Sequence, residues 1–438
     1  MNKNSFTKHP LIAGTLLLTL AGLLSRVIGF FYRIFLSHTI GAEGLGIYQL
    51  IFPIYALTFS FTVAGIQTAI SKFVAEANAR SKSSAAPGHF TYLYAGLFLS
   101  LLLSGLCTLF LYLYAHPIAV HILEEERCTP LLQILAFTIP FGAIHSCING
   151  YYYGLQKTSV PALSQLFEQI ARVGGVYLMY RIALEQNRPI SLNIAVWGLV
   201  IGEFASVLYC ISFTRFQKHC HRFSLATKQI FTMALPLTAN RVLINMFQSV
   251  EAIMIPGKLR EFGYESQEAL SVYGVLTGMA MPMILFPSAI TNSVSVMLLP
   301  AISEAHAKKD NFYIKNAIKK SCFYCITFGL ACTLGFLLLG RPLGQIVYAN
   351  RLAGTFMVIL GWICPFLYLN TTLSSILNGL GKTSTTFLLN LIGSGIRIIF
   401  VMLFIPAFGI KAYLWGMLIS HLTIALAAMT VLWRDVWK

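Results

Sequence analysis

Ile139-Pro140-Phe141, followed thirteen residues later by Gly154-Leu155-Gln156-Lys157-Thr158-Ser159, returns at an offset of 225 as Cys364-Pro365-Phe366 and Gly379-Leu380-Gly381-Lys382-Thr383-Ser384. At the same offset Arg172 falls on Arg397 and Tyr48 on Tyr273, and after a shift of three residues Glu76-Ala77 falls on Glu304-Ala305. An ordered series of this kind marks an internal duplication, so both halves should build the same unit.

Composition says what solvent that unit needs. Of 438 residues, 57% are hydrophobic and 11% charged, whereas a soluble domain is about half apolar and a quarter charged. Too few polar side chains exist to clothe a globule. Crossing ~30 Å of hydrocarbon takes about 20 mostly apolar residues, and twelve stretches qualify: 11–36, 46–68, 91–115, 129–153, 159–180, 191–213, 229–254, 269–298, 321–339, 352–377, 385–407 and 410–433. Lys3 and Lys8 before the first stretch imitate a signal peptide, but the apolar run is too long and no small-residue cleavage site follows. It reads as an uncleaved first membrane helix.

The net charge of +16 raises the question of a nucleic-acid partner. None is expected, because the basic residues sit in short clusters between apolar runs. Placed on alternate sides of the twelve stretches, eighteen Lys and Arg fall on one side and eight on the other, with five arginines left inside. The bias puts both termini in the cytoplasm and requires an even number of crossings. The expected fold is an all-α integral membrane protein with about twelve transmembrane helices in two pseudo-symmetric six-helix lobes, residues 1–222 and 223–438. Six helices per repeat give both lobes one orientation, related by an axis along the membrane normal with a cavity between them, as in transporters that alternate access. Pro53, Pro140, Pro282, Pro287 and Pro365 lie within the stretches and should bend them, as gates or as tolerated kinks.

Charge inside hydrocarbon costs about 2.5–3.5 kcal/mol per side chain and usually faces the bundle interior. On the first helix Thr15, Thr19, Gly22, Arg26, Gly29 and Arg33 form one polar stripe at helical spacing. The fifth carries Gln165, Glu168, Gln169 and Arg172 on one face, the seventh Arg241, Asn245, Gln248 and Glu251, and the eleventh Asn390, Ser394 and Arg397. Five intramembrane arginines face three carboxylates, Glu168, Glu203 and Glu251. One reading is a cationic cavity for an anionic substrate, lined by Arg26, Arg33, Arg172, Arg241 and Arg397 with Gln165 and Gln248, since guanidinium forks match phosphate oxygens. The other is helix-to-helix pairing, for which Glu168, one turn from Arg172, is well placed. Glu168, Glu251, Asn390 and Ser394 are accordingly ion-coupling or ion-pair candidates, with Glu251 able to hold Na⁺ or carry H⁺.

Other chemistry is missing. The Cys322-Phe-Tyr-Cys325 pair has no second CxxC and no nearby His, and Cys220 with the remaining cysteines is scattered, so no metal or redox site is expected. Gly381-Lys382-Thr383 ends like a phosphate-binding loop, but Ile376 stands where its first glycine belongs. Asp310 and Asp435 are the only aspartates, too few for Mg²⁺-dependent phosphotransfer. The chain is not expected to be an enzyme or to bind a cofactor. A Na⁺ or H⁺ gradient, the membrane potential or the substrate's own concentration difference must drive it.

Ser25-Arg26-Val27-Ile28-Gly29-Phe30, followed by Gly41-Ala42-Glu43-Gly44-Leu45-Gly46-Ile47-Tyr48-Gln49-Leu50, resembles the opening of the stage V sporulation protein B group. Gly65-Ile66-Gln67-Thr68-Ala69-Ile70-Ser71-Lys72, Tyr273-Gly274-Val275-Leu276-Thr277-Gly278 and Asn378-Gly379-Leu380-Gly381-Lys382-Thr383 extend the likeness along almost the whole chain. That group belongs to the multidrug/oligosaccharidyl-lipid/polysaccharide (MOP) exporter superfamily, with the MurJ flippases. The resemblance implies a V-shaped pair of lobes that flips a polyprenyl-pyrophosphate-linked saccharide, lipid II or a relative, for cell-wall or spore-cortex peptidoglycan. It implies too that the membrane is the bacterial cytoplasmic one. It also implies that Arg26, in the Ser-Arg-x-x-Gly-Phe motif, meets the pyrophosphate, while Arg33 departs by one position from the second MurJ arginine. Many members have fourteen helices against the twelve counted here, which leaves a lipid-tail groove built by the last two without a counterpart. A MurJ-type Na⁺ site wants acidic ligands on helices 7 and 11, where this chain has Glu251 but only Asn390 and Ser394. The competing expectation is a cation-coupled drug or metabolite antiporter of the MATE type, which would want an acidic cavity. A scaffold has no use for buried arginines, and a glycosyltransferase would need more acidic residues.

Overall fold

The computed structural model describes residues 10–79, 87–216 and 221–437, with side chains from Gly14 onward except those of Thr15, Leu16 and Trp437. Lys3, Lys8, Cys220 and the side chain of Thr15 lie outside the described residues.

Every described element is helical, as expected of backbone that must satisfy its own hydrogen bonds in hydrocarbon. In chain order these are α1 (Pro10–Leu50), α2 (Phe52–Phe59, a π-helical turn Ser60–Ala64, then Gly65–Ala79), α3 (His89–Leu113), α4 (Cys128–Gly154), α5 (Ser159–Glu185) and α6 (Asn193–Phe213). The second half has α7 (Phe223–Phe262), α8 (Ser266–Leu285, resuming as Ser288–Ala307), α9 (Asn311–Tyr348), α10 (Arg351–Gly379), α11 (Thr383–Phe408) and α12 (Ile410–Trp437). Ten of the described spans are long and apolar enough to cross a membrane, and the first, Leu17–Ala79, runs 63 residues. At ~1.5 Å per residue that is about twice a bilayer's depth and more, enough for two crossings. The twelfth crossing is α5, whose 27 residues fall short in apolarity because Gln165, Glu168, Gln169 and Arg172 lie on it. Leu102, Leu106, Leu109, Leu334 and Leu338 stand exposed along α3 and α9, a liability in water and a neutral lining against lipid.

Between the first two expected stretches, residues 37–45 hold a break as expected, but a shorter one: two helices meet at a kink and only Gly41 leaves helical geometry. Gly41 has φ 71° and ψ −178°, a conformation open to glycine and costly for residues with a Cβ. The prolines also act differently from simple internal kinks. Pro53 occupies the first turn of α2 and Pro287 caps the resumed part of α8, positions where a missing N–H costs little, while Pro282 and Pro365 stand where α8 leaves its π-helical turn and α10 its 3-10 turn. Pro140 is the third residue of the segment Thr138–Gly154.

The helices pack as two units. One comprises residues 1–32 and 50–249, the other 33–49 and 250–438. Within the first, Ile66, Ile70, Val74, Leu93, Ile148 and Tyr151 form a buried core. Within the second, Ile302, Ile318, Leu373, Ile376, Leu377 and Ala425 do the same. The duplication is visible in matching contacts. A Cβ built on Gly154 would stand 2.6 Å from the Ser71 carbonyl and 2.7 Å from Val74 Cβ, and one on Gly379 would stand 3.0 Å from the Leu299 carbonyl and 2.9 Å from Ile302 Cβ. Gly154 and Gly379 are 225 apart, and the residues they touch are 228 apart. The three additional residues fall between Tyr273 and Leu299, the stretch where α8 is broken at Phe286-Pro287. In the second unit α1 crosses α8 so closely that a Cβ on Gly46 would meet the Leu270 carbonyl at 2.0 Å and one on Gly274 the Ala42 carbonyl at 2.1 Å, a close approach that only small residues permit.

Candidate functional site

Polar side chains gather at two places in the first unit. One is where α1 runs beside α5. A Cβ on Gly14 would lie 2.7 Å from Thr158 Oγ1, and one on Gly29 would lie 3.9 Å from Gln169 Oε1. The polar stripe of α1 therefore passes the polar face of α5. Arg26 is exposed and, among the described residues, makes no hydrogen bond or ion pair. Gly22, one turn before it, has no atom of the described residues within 4 Å of where a side chain would begin. Gln165 is likewise exposed without a described partner.

Deeper in the same unit lies a titratable cluster. Arg172 pairs with Glu168 one turn away on α5. Glu203 of α6 accepts a hydrogen bond from the Tyr55 hydroxyl of α2 at 3.2 Å and faces His145 Nδ1 of α4 at 3.1 Å. Ligand atoms of His145, Glu168 and Glu203 lie within 4.8 Å of one another, a set with the chemistry to hold a proton or a metal ion. Small residues bring them together. A Cβ on Gly202 would stand 2.9 Å from the Glu168 carbonyl, and one on Gly198 would stand 2.3 Å from Val176 Cγ2, so a Gly-x-x-x-Gly face of α6 lies directly on α5.

The second unit holds its charges differently. Arg397 Nε of α11 donates to Glu251 Oε1 of α7 at 2.7 Å, while its terminal nitrogens donate to Ser420 Oγ at 3.0 Å and Ser394 Oγ at 3.1 Å. The Tyr413 hydroxyl donates to Glu251 Oε1 at 2.8 Å. Every Arg397 nitrogen has an acceptor and the carboxylate has two donors. Beside this network Asn370 Nδ2 donates to the His421 carbonyl at 2.9 Å.

The candidates named from sequence thus separate. Arg172 and Arg397 are tied to carboxylates, and Arg26 and Arg241 are exposed with no described partner. Arg33 is half-buried in the second unit, within electrostatic reach of Tyr348. Gln248 and Asn390 are exposed, while Ser394 and Glu251 are buried in the Arg397 network. On α7, Asn245 and Ser249 turn to α2, bonding Ser60 and the Pro53 carbonyl. Cys325 of the CxxC pair sits against Thr372 Oγ1 at 3.3 Å, and both its cysteines are free thiols. Sequence reading missed Tyr55, His145, Tyr413 and Ser420, and the repeat holds a signal for part of this. Trp197-Gly198-Leu199-Val200-Ile201-Gly202-Glu203 recurs as Trp415-Gly416-Met417-Leu418-Ile419-Ser420-His421, and His145 falls on Asn370 at the offset of 225.

Duplicated six-helix architecture with paired charges inside apolar packing defines a multi-pass membrane transporter. The polysaccharide biosynthesis protein family profile matches residues 11–306 and the MatE profile residues 236–403; the chain belongs to the polysaccharide biosynthesis protein family, within the MOP superfamily. Stage V sporulation protein B of Bacillus subtilis (strain 168) is 30% identical, over 97% of this chain and 85% of that protein. Among solved structures, lipid II flippase MurJ in an inward closed conformation aligns with a TM-score of 0.75 at 18% identity, over 95% of this chain and 87% of that one. A multidrug resistance MATE family transporter of the MOP superfamily, inward-facing, aligns at 0.69 and 13% identity, over 94% of each chain. Of these, the two solved structures are named as a flippase and a transporter.

Proposed function

We propose that the chain flips or exports an anionic polyprenyl-pyrophosphate-linked saccharide, a lipid II-like peptidoglycan precursor or a polysaccharide repeat unit, across the bacterial cytoplasmic membrane. The observation that carries this reading is Arg26. It is a guanidinium in the middle of an apolar helix, exposed, one turn from Gly22, whose Cβ position has no described atom within 4 Å, and without a described protein partner. Facing lipid would cost such a group several kcal/mol, so its position is best explained by water and a transient anionic partner, and a diphosphate matches its fork. The name of the MurJ relative, a lipid II flippase, supports the same cargo class.

One hydrogen bond to a charged group is worth about 1.5–3 kcal/mol. Arg26→Ala should therefore lower translocation of fluorescent lipid II in proteoliposomes by about tenfold to a hundredfold, with yield and melting temperature unchanged. Undiminished translocation by that variant refutes the assignment. A second reading, a cation-coupled MATE-type antiporter of drugs or metabolites, draws on the Glu168 and Glu203 carboxylates in the first unit. It predicts efflux of cationic dyes from the same vesicles, inhibited by Glu168→Gln and indifferent to Arg26→Ala.

A further inference from the structure

The cluster in the first unit carries an uneven charge. Glu168 and Glu203 contribute two negative charges and Arg172 one positive. Tyr55 is a neutral donor, and His145 is neutral unless protonated. With a neutral imidazole the sum is minus one, in a place where the Glu203 side chain is 7% exposed and that of His145 12%. Isolated charge in such surroundings costs several kcal/mol. One added positive charge removes the imbalance.

The repeat shows that this is a property of one unit and not of the architecture. At the duplicated positions Glu203 is replaced by His421 and His145 by Asn370. There the one carboxylate, Glu251, is matched by the one guanidinium, Arg397, with Tyr413, Ser394 and Ser420 completing the bonds. That network has no charge left to balance. The carboxylate that sequence reading favoured for ion coupling, Glu251, is the neutralised one.

The identity of the missing charge follows from the donors. Na⁺ and other hard cations take oxygen ligands and avoid imidazole nitrogen. A divalent transition ion suits the imidazole but overshoots the balance by one charge. A proton brings one charge, and the imidazole–carboxylate pair at 3.1 Å is built to share it. His145 Nδ1 is engaged with Glu203, while Nε2 is buried with no hydrogen-bond partner among the described residues. Either tautomer leaves one ring nitrogen with a lone pair to accept the proton. We propose that Tyr55, His145, Glu168, Arg172 and Glu203 form a single-proton site, whose protonation and release couple a proton gradient to the transport cycle; the coupling rests on the transporter reading above, the site does not.

Two measurements separate these claims. In the first, infrared difference spectra and proton uptake of the purified full-length protein are recorded between about pH 8 and about pH 5. Wild type should show imidazole protonation, and Glu203→Gln, whose remaining Glu168 and Arg172 already balance, should take up one proton fewer and lose that signal. His145→Gln keeps the negative excess and should move the proton to a carboxyl group, seen as a new protonated-carboxyl band; this variant also covers any failure of Glu203→Gln to fold. His421→Gln should leave uptake unaltered. Equal proton uptake by wild type and Glu203→Gln overturns the site, as does tight binding of Zn²⁺ alone that His145→Gln removes. In the second, fluorescent lipid II translocation is followed under an imposed pH or Na⁺ gradient. A response to the pH gradient that Glu203→Gln abolishes supports coupling, and a response to Na⁺ alone overturns it. Absence of lipid II movement in wild type speaks against the cargo and leaves the first measurement standing.

Discussion

Arg26 and Arg397 look alike in the sequence, since each is an arginine in an apolar run, and they have opposite situations in the fold. Arg397 gives all its nitrogens to Glu251, Ser394 and Ser420, so Arg397→Ala or Glu251→Ala leaves a buried partner uncompensated. A loss of about 3–5 kcal/mol in stability is expected, read as a lower detergent melting midpoint, and a midpoint within error of wild type would contradict the network. Arg26→Ala removes no described bond and should change stability by about 0.5 kcal/mol or less. The difference was not legible beforehand because Glu251 lies 146 residues from Arg397, and separation of that size reveals nothing about contact. Arg172 was legible, since Glu168 sits one turn away on the same helix. Glu203 stood in between: its burial was readable from the apolar run around it, its partners His145 and Tyr55 were not.

Helices were the easiest feature to read, because a bilayer admits almost no other backbone and demands about 20 apolar residues per crossing. Their ends and breaks were harder. Residues 37–45 are polar and glycine-rich enough to suggest a loop, yet helical hydrogen bonding continues on both sides of Gly41. Gly41→Ala should cost about 1–2 kcal/mol from the positive-φ conformation, although no atom of the described residues lies within 4 Å of its Cβ position. Gly46→Val acts for a different reason, since its side chain would overlap the Leu270 carbonyl. It should unfold the second unit's α1–α8 crossing and remove the protein from the folded membrane fraction, whereas Gly22→Ala, with no described atom within 4 Å of its Cβ position, should leave the melting midpoint within error. A well-folded Gly46→Val protein would show that the crossing tolerates separation.

For the molecule as a whole, the duplication and the basic-residue bias make one joint prediction about topology. Single cysteines replacing Lys157 or Lys382, which occupy matching turns of the two repeats, should be labelled by an impermeant maleimide only from the cytoplasmic side, in a background lacking the native thiols. Cysteines replacing Arg127 or Arg188 should label from outside. Labelling of Lys157 and Lys382 positions from opposite sides would break the parallel arrangement of the repeats. The two packing units follow a line of their own, with residues 33–49 of α1 joining the second unit and residues 223–249 of α7 joining the first, so each repeat lends part of its first helix to the other.

Hydropathy, length and repetition were enough to read a duplicated, all-helical, multi-pass membrane protein, because those properties are one-dimensional: they are counted along the chain and answer to a solvent that is uniform over each crossing. Which buried charges cancel, and which remains open, depended on distances between helices far apart in the chain. The glycines at 198 and 202 that press α6 onto α5, and the reach of α7 to α11, bring the carboxylates to their partners. Coulombic and hydrogen-bond energies fall off within a few ångströms in space, and no spacing along a sequence carries that information.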